Sequence, residues 1–143
     1  MEATDDISEI TVRVNYSEID QMGVVYHAWY LVWFDRARTE HLRRTGTSYA
    51  ELERQGLRMV VGRATVRYRQ PARYDDLVTI RCWIREIASR RITFGYAAVA
   101  AADGRLLVTG ETSLLVLDSR LQWARLPASV AGKLRIVADP VRL

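Results

Sequence analysis

The sequence predicts an α+β fold in which one long helix packs on an antiparallel sheet, and three patterns indicate it. Apolar and polar residues alternate from Ile10 to Tyr16, which is the period of a half-buried strand. Apolar residues then recur at spacings of three and four from Tyr26 to Ala37, which predicts an amphipathic helix. Four more strand-like runs follow. One long helix therefore separates a first strand from a group of four.

The long helix is expected to end near residues 43–46, where cations occupy the last turn and a glycine follows. Its first half is apolar nearly all round, because Leu31 and Val32 are apolar as well and lie outside the face that carries Trp33. Such a helix is expected to be enclosed by other structure. Residues 48–55 are compatible with a short additional helical turn.

The four later strands are expected to form a meander with one polar face. Turn signals bound them, and Asp103-Gly104 is a two-residue hairpin signal before the last strand. The four ranges are Val60–Arg69, Leu77–Glu86, Ile92–Ala100 and Leu106–Leu117. Pro127 is expected to begin a short helix that extends to about Ile136. No repeat or linker interrupts the pattern, so residues 1–143 are expected to form one domain.

Composition excludes several classes of protein. The 21 basic and 17 acidic residues give a net charge of +4, which is compatible with an anionic ligand but too small and dispersed for nucleic acid. Cys82 is the only cysteine, so no intrachain disulfide or multi-cysteine zinc site is expected, and its alternating apolar surroundings predict a core position.

The N-terminus lacks a signal-peptide pattern, and no apolar run approaches the roughly 20 residues of a membrane helix. A soluble cytoplasmic protein without a membrane span is expected.

Residues 16–30 carry the most informative pattern, because a strand ends there on an acid and a glycine and an apolar helix follows at once. Asp20 is therefore expected to lie beside the N-terminus of the helix. Free N–H groups and the positive end of the helix dipole gather at such a terminus, which suits an ionised acid and a developing oxyanion. The ordinary alternative for Asp20 is a helix N-cap.

A family resemblance extends over nearly the whole chain. The residues that carry it are Tyr16, Asp20, Gly23–His27, Tyr30, Arg38, Tyr68–Asp76 and Gly110–Thr112. They resemble the signature of hotdog-fold thioesterases of the 4-hydroxybenzoyl-CoA thioesterase type, nearest the bacterial Tol-Pal-associated acyl-CoA thioesterase branch. The resemblance implies a curled antiparallel five-stranded sheet wrapped around one long central helix and paired with a second subunit. It also implies hydrolysis of acyl-CoA thioesters to free acid and CoA, without a cofactor or metal.

By this resemblance Asp20 is the catalytic carboxylate, and the backbone N–H of His27 is the oxyanion donor. Asp20 either attacks the thioester carbonyl to give a mixed anhydride or deprotonates a water, and both routes stay open. Gly23 lets the backbone turn tightly and leaves room for the thioester. The alternative for the His27 side chain is a buried, hydrogen-bonded histidine or an aromatic wall.

The residues expected to contact substrate lie in the motif and in a turn between two later strands. They are Tyr16, Gly23, Val24, Val25, Tyr26, Ser89, Arg90 and Arg91. The serine and two arginines of the later turn are candidates for contacts with CoA phosphates, and a solvated hairpin is their alternative. Tyr16 is otherwise a core or pocket-wall residue. Glu18 is expected in a solvated loop, and His41 is expected to be a solvated helix residue.

Two other functions compete with acyl-CoA hydrolysis. One is release of acyl chains from an acyl-carrier protein, which presents the same thioester on the same pantetheine arm. The other is a non-catalytic hotdog dimer that binds acyl thioesters, although the presence of Asp20 argues against it. A homo-oligomer is expected, as a homodimer or a dimer of dimers, because hotdog domains pair at an exposed sheet edge. The sequence leaves the acyl group open.

Overall fold

The computed structural model describes residues 6–143 and contains a five-stranded antiparallel sheet with a long helix packed against it. The elements are β1 (Ser8–Arg13), α1 (Trp29–Arg44), α2 (Tyr49–Arg54), β2 (Leu57–Tyr68), β3 (Leu77–Ala88), β4 (Arg91–Ala100), β5 (Leu106–Asp118) and α3 (Ala128–Ala131). The strand order is β1-β3-β4-β5-β2, and each neighbouring pair is antiparallel. The predicted α+β hotdog architecture, a curled sheet around one central helix, is confirmed.

The position of β2 corrects the predicted four-stranded meander. Strands β3, β4 and β5 follow one another as neighbours, but β2 pairs with β5 at the far edge of the sheet. The connection from β2 to β3 therefore crosses the end of the sheet instead of closing a hairpin. Backbone hydrogen bonds hold this connection on the N-terminal segment, from the N–H of Val25 to the carbonyl of Ala72 (2.9 Å) and from the N–H of Asp75 to the carbonyl of Val14 (3.1 Å).

Helix α1 packs one face on the inner side of the sheet. Phe34 stacks on Tyr96 of β4 with ring centroids 4.4 Å apart, and its ring also lies against Gly110 of β5. Leu31 and Val32 are exposed, so the sheet of one chain covers only one face of this helix. The expectation that the helix is enclosed all round is not met within a single chain.

One charged side chain lies inside the core and fixes α1 on the sheet. Arg38 is only 5% exposed, and its guanidinium donates to the hydroxyl of Tyr49 at 2.7 Å and to the hydroxyl of Tyr96 at 3.0 Å. It also forms an ion pair with Asp35. The core position predicted for Cys82 is confirmed, and burial raises the pKa of its thiol.

Helix α1 begins later than predicted, at Trp29 instead of Tyr26. The N–H of Tyr26 donates to the carbonyl of Glu18 at 2.9 Å, so the chain up to this point is held extended and cannot join the helix. The predicted end is confirmed, because α1 stops at Arg44 and Gly46 follows with a φ of +83°. This left-handed conformation is the usual role of a glycine after a helix.

The C-terminal helix is shorter than predicted, since α3 covers only Ala128–Ala131. The chain after it lies along β3, where the N–H of Val137 donates to the carbonyl of Ile84 at 3.0 Å. Within residues 6–143, no helix combines the length and apolar character needed to cross a membrane.

Candidate active site

Residues 18–26 fold into a narrow antiparallel hairpin that carries Asp20. The N–H of Asp20 donates to the carbonyl of Val24 at 2.8 Å, and the N–H of Gly23 donates to the carbonyl of Asp20 at 3.0 Å. Gly23 closes the turn with a φ of +78°, a conformation that residues with a side chain rarely adopt. The N-cap of α1 is Ala28, so the helix-cap alternative for Asp20 is wrong.

The carboxylate of Asp20 is held at one oxygen. Oδ1 accepts the N–H of Met22 at 2.8 Å and the N–H of Val24 at 3.4 Å. Oδ2 accepts no hydrogen bond from residues 6–143, and the side chain is partly buried. The contacts to Oδ1 fix the direction of the side chain, which leaves Oδ2 available to a water or to a carbonyl carbon.

His27 is the first of the two central residues of the turn from Tyr26 to Trp29, which leads into α1. Its N–H donates to no carbonyl within the described part of the chain, and its own carbonyl accepts the hydroxyl of Tyr68 at 2.9 Å. The exposed imidazole lies 4.4 Å from the ring of Tyr26 and 6.2 Å from that of Tyr68, measured between centroids. The side chain is therefore part of an aromatic wall, and the alternative of a buried histidine is wrong.

A cavity of about 250 Å³ opens beside the motif. The lining residues are Val24, Val25, Tyr30, Tyr68, Arg69, Gln70 and Pro71. The cavity thus brings the predicted substrate-contact residues Val24 and Val25 together with the β2–β3 connection. Burial raises the pKa of Tyr30 to about 12, so its hydroxyl stays protonated at neutral pH.

Tyr68 and the three residues after it were not among the predicted site residues. They lie near the motif because β2 is the edge strand of the sheet and its connection to β3 is hydrogen-bonded to the hairpin of residues 18–26. The signal that points to them is the family resemblance of Tyr68–Asp76, although the site residues expected from that resemblance do not include them.

The tyrosines at the start of the motif lie at the surface of the single chain. Tyr16 is 73% exposed, and its ring packs edge-on against Tyr74 with centroids 5.7 Å apart. Tyr26 is also exposed. Of the two places expected for Tyr16, the core is therefore wrong and the pocket wall stays a prediction, and both rings are open to a ligand or to a second chain.

Glu18 corrects a further expectation, because its carboxylate is bound to the protein at both oxygens. Oε1 accepts the N–H of Asn15 at 2.7 Å, and Oε2 accepts the indole N–H of Trp33 at 3.1 Å. Since Trp33 belongs to α1, Glu18 ties the hairpin of Asp20 to the central helix. Its expected place in a solvated loop is wrong.

Ser89 and Arg90 form the exposed turn between β3 and β4, and Arg91, also exposed, is the first residue of β4. Strand β3 begins beside the connection that touches the motif and ends at this turn, roughly 35 Å away along the strand at about 3.3 Å per residue. The side chain of Arg91 pairs with Glu86 at 2.7 Å. Within one chain, these three residues are not brought to Asp20.

Comparisons with known proteins identify the family of this chain. The family described as the thioesterase-like superfamily matches residues 14–134. The acyl-CoA thioester hydrolase YbgC of Escherichia coli O6:H1 is 34% identical over 125 residues, which cover 87% of this chain and 92% of YbgC.

Two solved structures extend the likeness to the fold. The hypothetical protein TT1821 from Thermus thermophilus is similar with a TM-score of 0.84 and 34% identity, over 89% of this chain and 96% of that one. The DHNA-CoA thioesterase from Staphylococcus aureus has a TM-score of 0.80 and 30% identity, over 84% of this chain and 80% of that one. The family match covers most of the chain, and the hairpin of Asp20 lies inside it, so the chain belongs to the thioesterase-like superfamily.

Proposed function

We propose that this protein hydrolyses acyl-CoA thioesters to a free acid and CoA, in the cytoplasm and without a cofactor. One observation carries the proposal: the hairpin fixes Asp20 through Oδ1, and among the described residues neither Oδ2 nor the nearby N–H of His27 has a hydrogen-bond partner. A carboxylate and an oxyanion donor are the two groups that thioester hydrolysis needs. Family membership and the name of the similar hydrolase YbgC support the same reaction.

Two routes use these groups. In the first, Asp20 removes a proton from a water, whose oxygen attacks the thioester carbonyl carbon. The resulting oxyanion accepts the N–H of His27, the C–S bond breaks, and the CoA sulfur takes the proton from Asp20. In the second, Oδ2 of Asp20 attacks the carbonyl itself and expels CoA, and water then hydrolyses the mixed anhydride.

The cavity beside the motif is the place for the acyl-thioester end of the substrate. Val24 and Val25 supply apolar lining, and Gly23 has no side chain to block the approach. Tyr16 and Tyr26 stand exposed near the same hairpin and are placed to contact the pantetheine arm or the acyl group.

A second copy of the chain completes the site. Strand β2 is an edge strand whose side chains are mostly exposed, including Val60 and Val61, and such an edge is a template for pairing. Two β2 strands paired antiparallel about a two-fold axis place the Tyr68 end of one beside the Leu57 end of the other. The turn of Ser89, Arg90 and Arg91 of the second copy then lies at the same end of the joint sheet as Asp20. We propose a homodimer of this kind, which also allows a dimer of dimers.

The experiment that tests the catalytic assignment is Asp20→Asn. We expect kcat to fall by about 10²–10⁴-fold with KM little changed, because the charge and basicity of a positioned acid are lost. Asparagine keeps the side-chain oxygen that accepts the N–H groups of Met22 and Val24, so the hairpin is expected to survive. Glu18→Gln is not a neutral control, because both oxygens of Glu18 accept hydrogen bonds.

Steady-state kinetics on a CoA thioester, together with circular dichroism of both proteins, measure this effect. Near-wild-type turnover by a folded Asp20→Asn protein would show that Asp20 only holds the turn. Parallel assays with the same acyl group on CoA and on an acyl-carrier protein decide which carrier the enzyme uses.

A further inference from the structure

The peptide group between Tyr26 and His27 carries the N–H that the proposed function assigns to the oxyanion. The carbonyl of this peptide, on Tyr26, accepts the N–H of Trp29 at 3.0 Å. No peptide bond of the described residues is cis, and in a trans peptide the carbonyl and the N–H point in opposite directions. The N–H of His27 therefore points away from the first turn of α1, towards the space outside the helix N-terminus.

The peptide groups on either side are both held in place. On the N-terminal side, the N–H of Tyr26 donates to the carbonyl of Glu18 at 2.9 Å, within the hairpin. On the C-terminal side, the carbonyl of His27 accepts the hydroxyl of Tyr68 at 2.9 Å. The first contact is between backbone groups of the same hairpin, whereas the second comes from a side chain at the end of β2.

We propose that Tyr68 is a positioning residue, which holds the N–H of His27 in line with the thioester oxyanion by binding the carbonyl of the same residue. This inference rests on the proposed function. Only the φ and ψ rotations of His27 separate its N–H from its carbonyl, so a fixed carbonyl restricts the direction of the N–H. Loss of an oxyanion donor costs about 10²–10³ in kcat, and loss of its alignment is expected to cost less.

The surroundings of the Tyr68 hydroxyl indicate that it contributes little to folding. Tyr68 is 48% exposed and lies at the end of an edge strand, and His27 is exposed too. A water can replace the hydroxyl at the carbonyl of His27, so phenylalanine leaves no buried group unpaired. The ring of Tyr68 packs edge-on against Tyr30 with centroids 5.8 Å apart, and phenylalanine keeps this contact.

The test is Tyr68→Phe in the full-length protein, with a CoA thioester as substrate. We expect kcat to fall about tenfold and KM to change less than about twofold, because the hydroxyl acts on the transition state through His27. The melting temperature is expected to stay the same. The backbone amide signal of His27 in a ¹H–¹⁵N spectrum is expected to shift or broaden. Tyr74→Phe is the matched control, since this exposed tyrosine makes its described contact through its ring, and it should change none of these quantities.

Three results would overturn the proposal: unchanged values of both kcat and KM, a raised KM with an unchanged kcat, or a melting temperature lower by more than about 5 °C. The second would mean that the hydroxyl binds substrate, and the third that it stabilises the fold. Asp20→Asn in the same assay separates this inference from the proposed function. An inactive Asp20→Asn beside a fully active Tyr68→Phe would reject only the role of Tyr68, and an active Asp20→Asn would reject the catalytic assignment.

Discussion

His41 shows how burial changes the character of a single polar residue. The imidazole is 4% exposed, although a solvated position on the helix is expected from the sequence. Its Nδ1 lies 2.7 Å from Oγ of Ser8, which is also buried. Position 41 continues the helical spacing of Tyr30, Phe34 and Ala37 on the buried face of α1. That spacing is the signal for its burial, and here it outweighs the polarity of the side chain.

The buried His41 predicts a loss of stability in mild acid. Burial, and then the charge of Arg44, lowers the pKa of His41 from 6.5 to about 4. Between these values the unfolded chain binds a proton that the folded protein does not, so the free energy of unfolding falls as the pH drops from 6.5 to 4. The fall due to this group is about 3 kcal/mol.

Urea denaturation at pH 7 and pH 4 measures this loss. The variant His41→Gln keeps a polar partner for Ser8 but has no group that titrates. It should therefore lose about 3 kcal/mol less than the parent over the same interval. An equal loss in both proteins would show that other groups cause the acid sensitivity.

At the scale of elements, α1 and β5 approach each other closely at Gly110. A Cβ atom at Gly110 would lie 2.8 Å from Cε2 of Phe34 and 2.9 Å from the backbone carbonyl oxygen of Thr65 on β2. The carbonyl belongs to the paired strand and cannot move without disturbing the sheet. Glycine at this position therefore allows the central helix to approach the sheet closely.

Gly110→Ala is expected to destabilise the fold by about 1–3 kcal/mol, the usual cost of overpacking a core. Gly62→Ala is the control, because its Cβ would meet only the side chain of Leu115, at 3.1 Å, which is free to move. Urea denaturation of both variants gives the comparison. Equal stability of the two variants would mean that the contact with Phe34 is not tight.

Most elements could be predicted from local patterns, and the failures have a common cause. The ranges of β3, β4 and β5 follow from alternation, and the end of α1 follows from its cations and glycine. The pairing of β2 with β5 and the late start of α1 at Trp29 both depend on hydrogen bonds between distant or folded-back segments. A periodicity of two or 3.6 residues carries no information about such partners.

At the scale of the whole molecule, the exposed edge of β2 predicts a dimer. Val60 and Val61 on this strand are exposed in the single chain, and so are Leu31 and Val32 on α1. Burying such apolar surface against a second copy stabilises the pair. Light scattering at micromolar concentration is expected to give at least twice the mass of one chain. A stable monomer at that concentration would contradict the proposed assembly.

The separation of the site residues along the chain decides which of them the sequence could predict. Asp20, Val24 and Val25 are close in sequence, so one motif identifies them. Tyr68 and His27 are 41 residues apart in the sequence, and only the folded chain brings them into contact. The turn of Ser89–Arg91 lies far from Asp20 within one chain, and only the pairing of two copies proposed above brings it near.

The most direct test of this account is complementation between two defective chains, Asp20→Asn and the double variant Arg90→Ala with Arg91→Ala. Alone, the double variant should bind CoA esters weakly but hydrolyse a pantetheine thioester nearly normally, because the arginines are proposed to contact only phosphate. When the two chains are co-expressed, a mixed dimer holds one site with the intact Asp20 and the intact arginines. Random pairing then restores about a quarter of the wild-type kcat/KM for a CoA thioester. Activity no higher than the average of the two defective proteins would contradict a site shared between two copies.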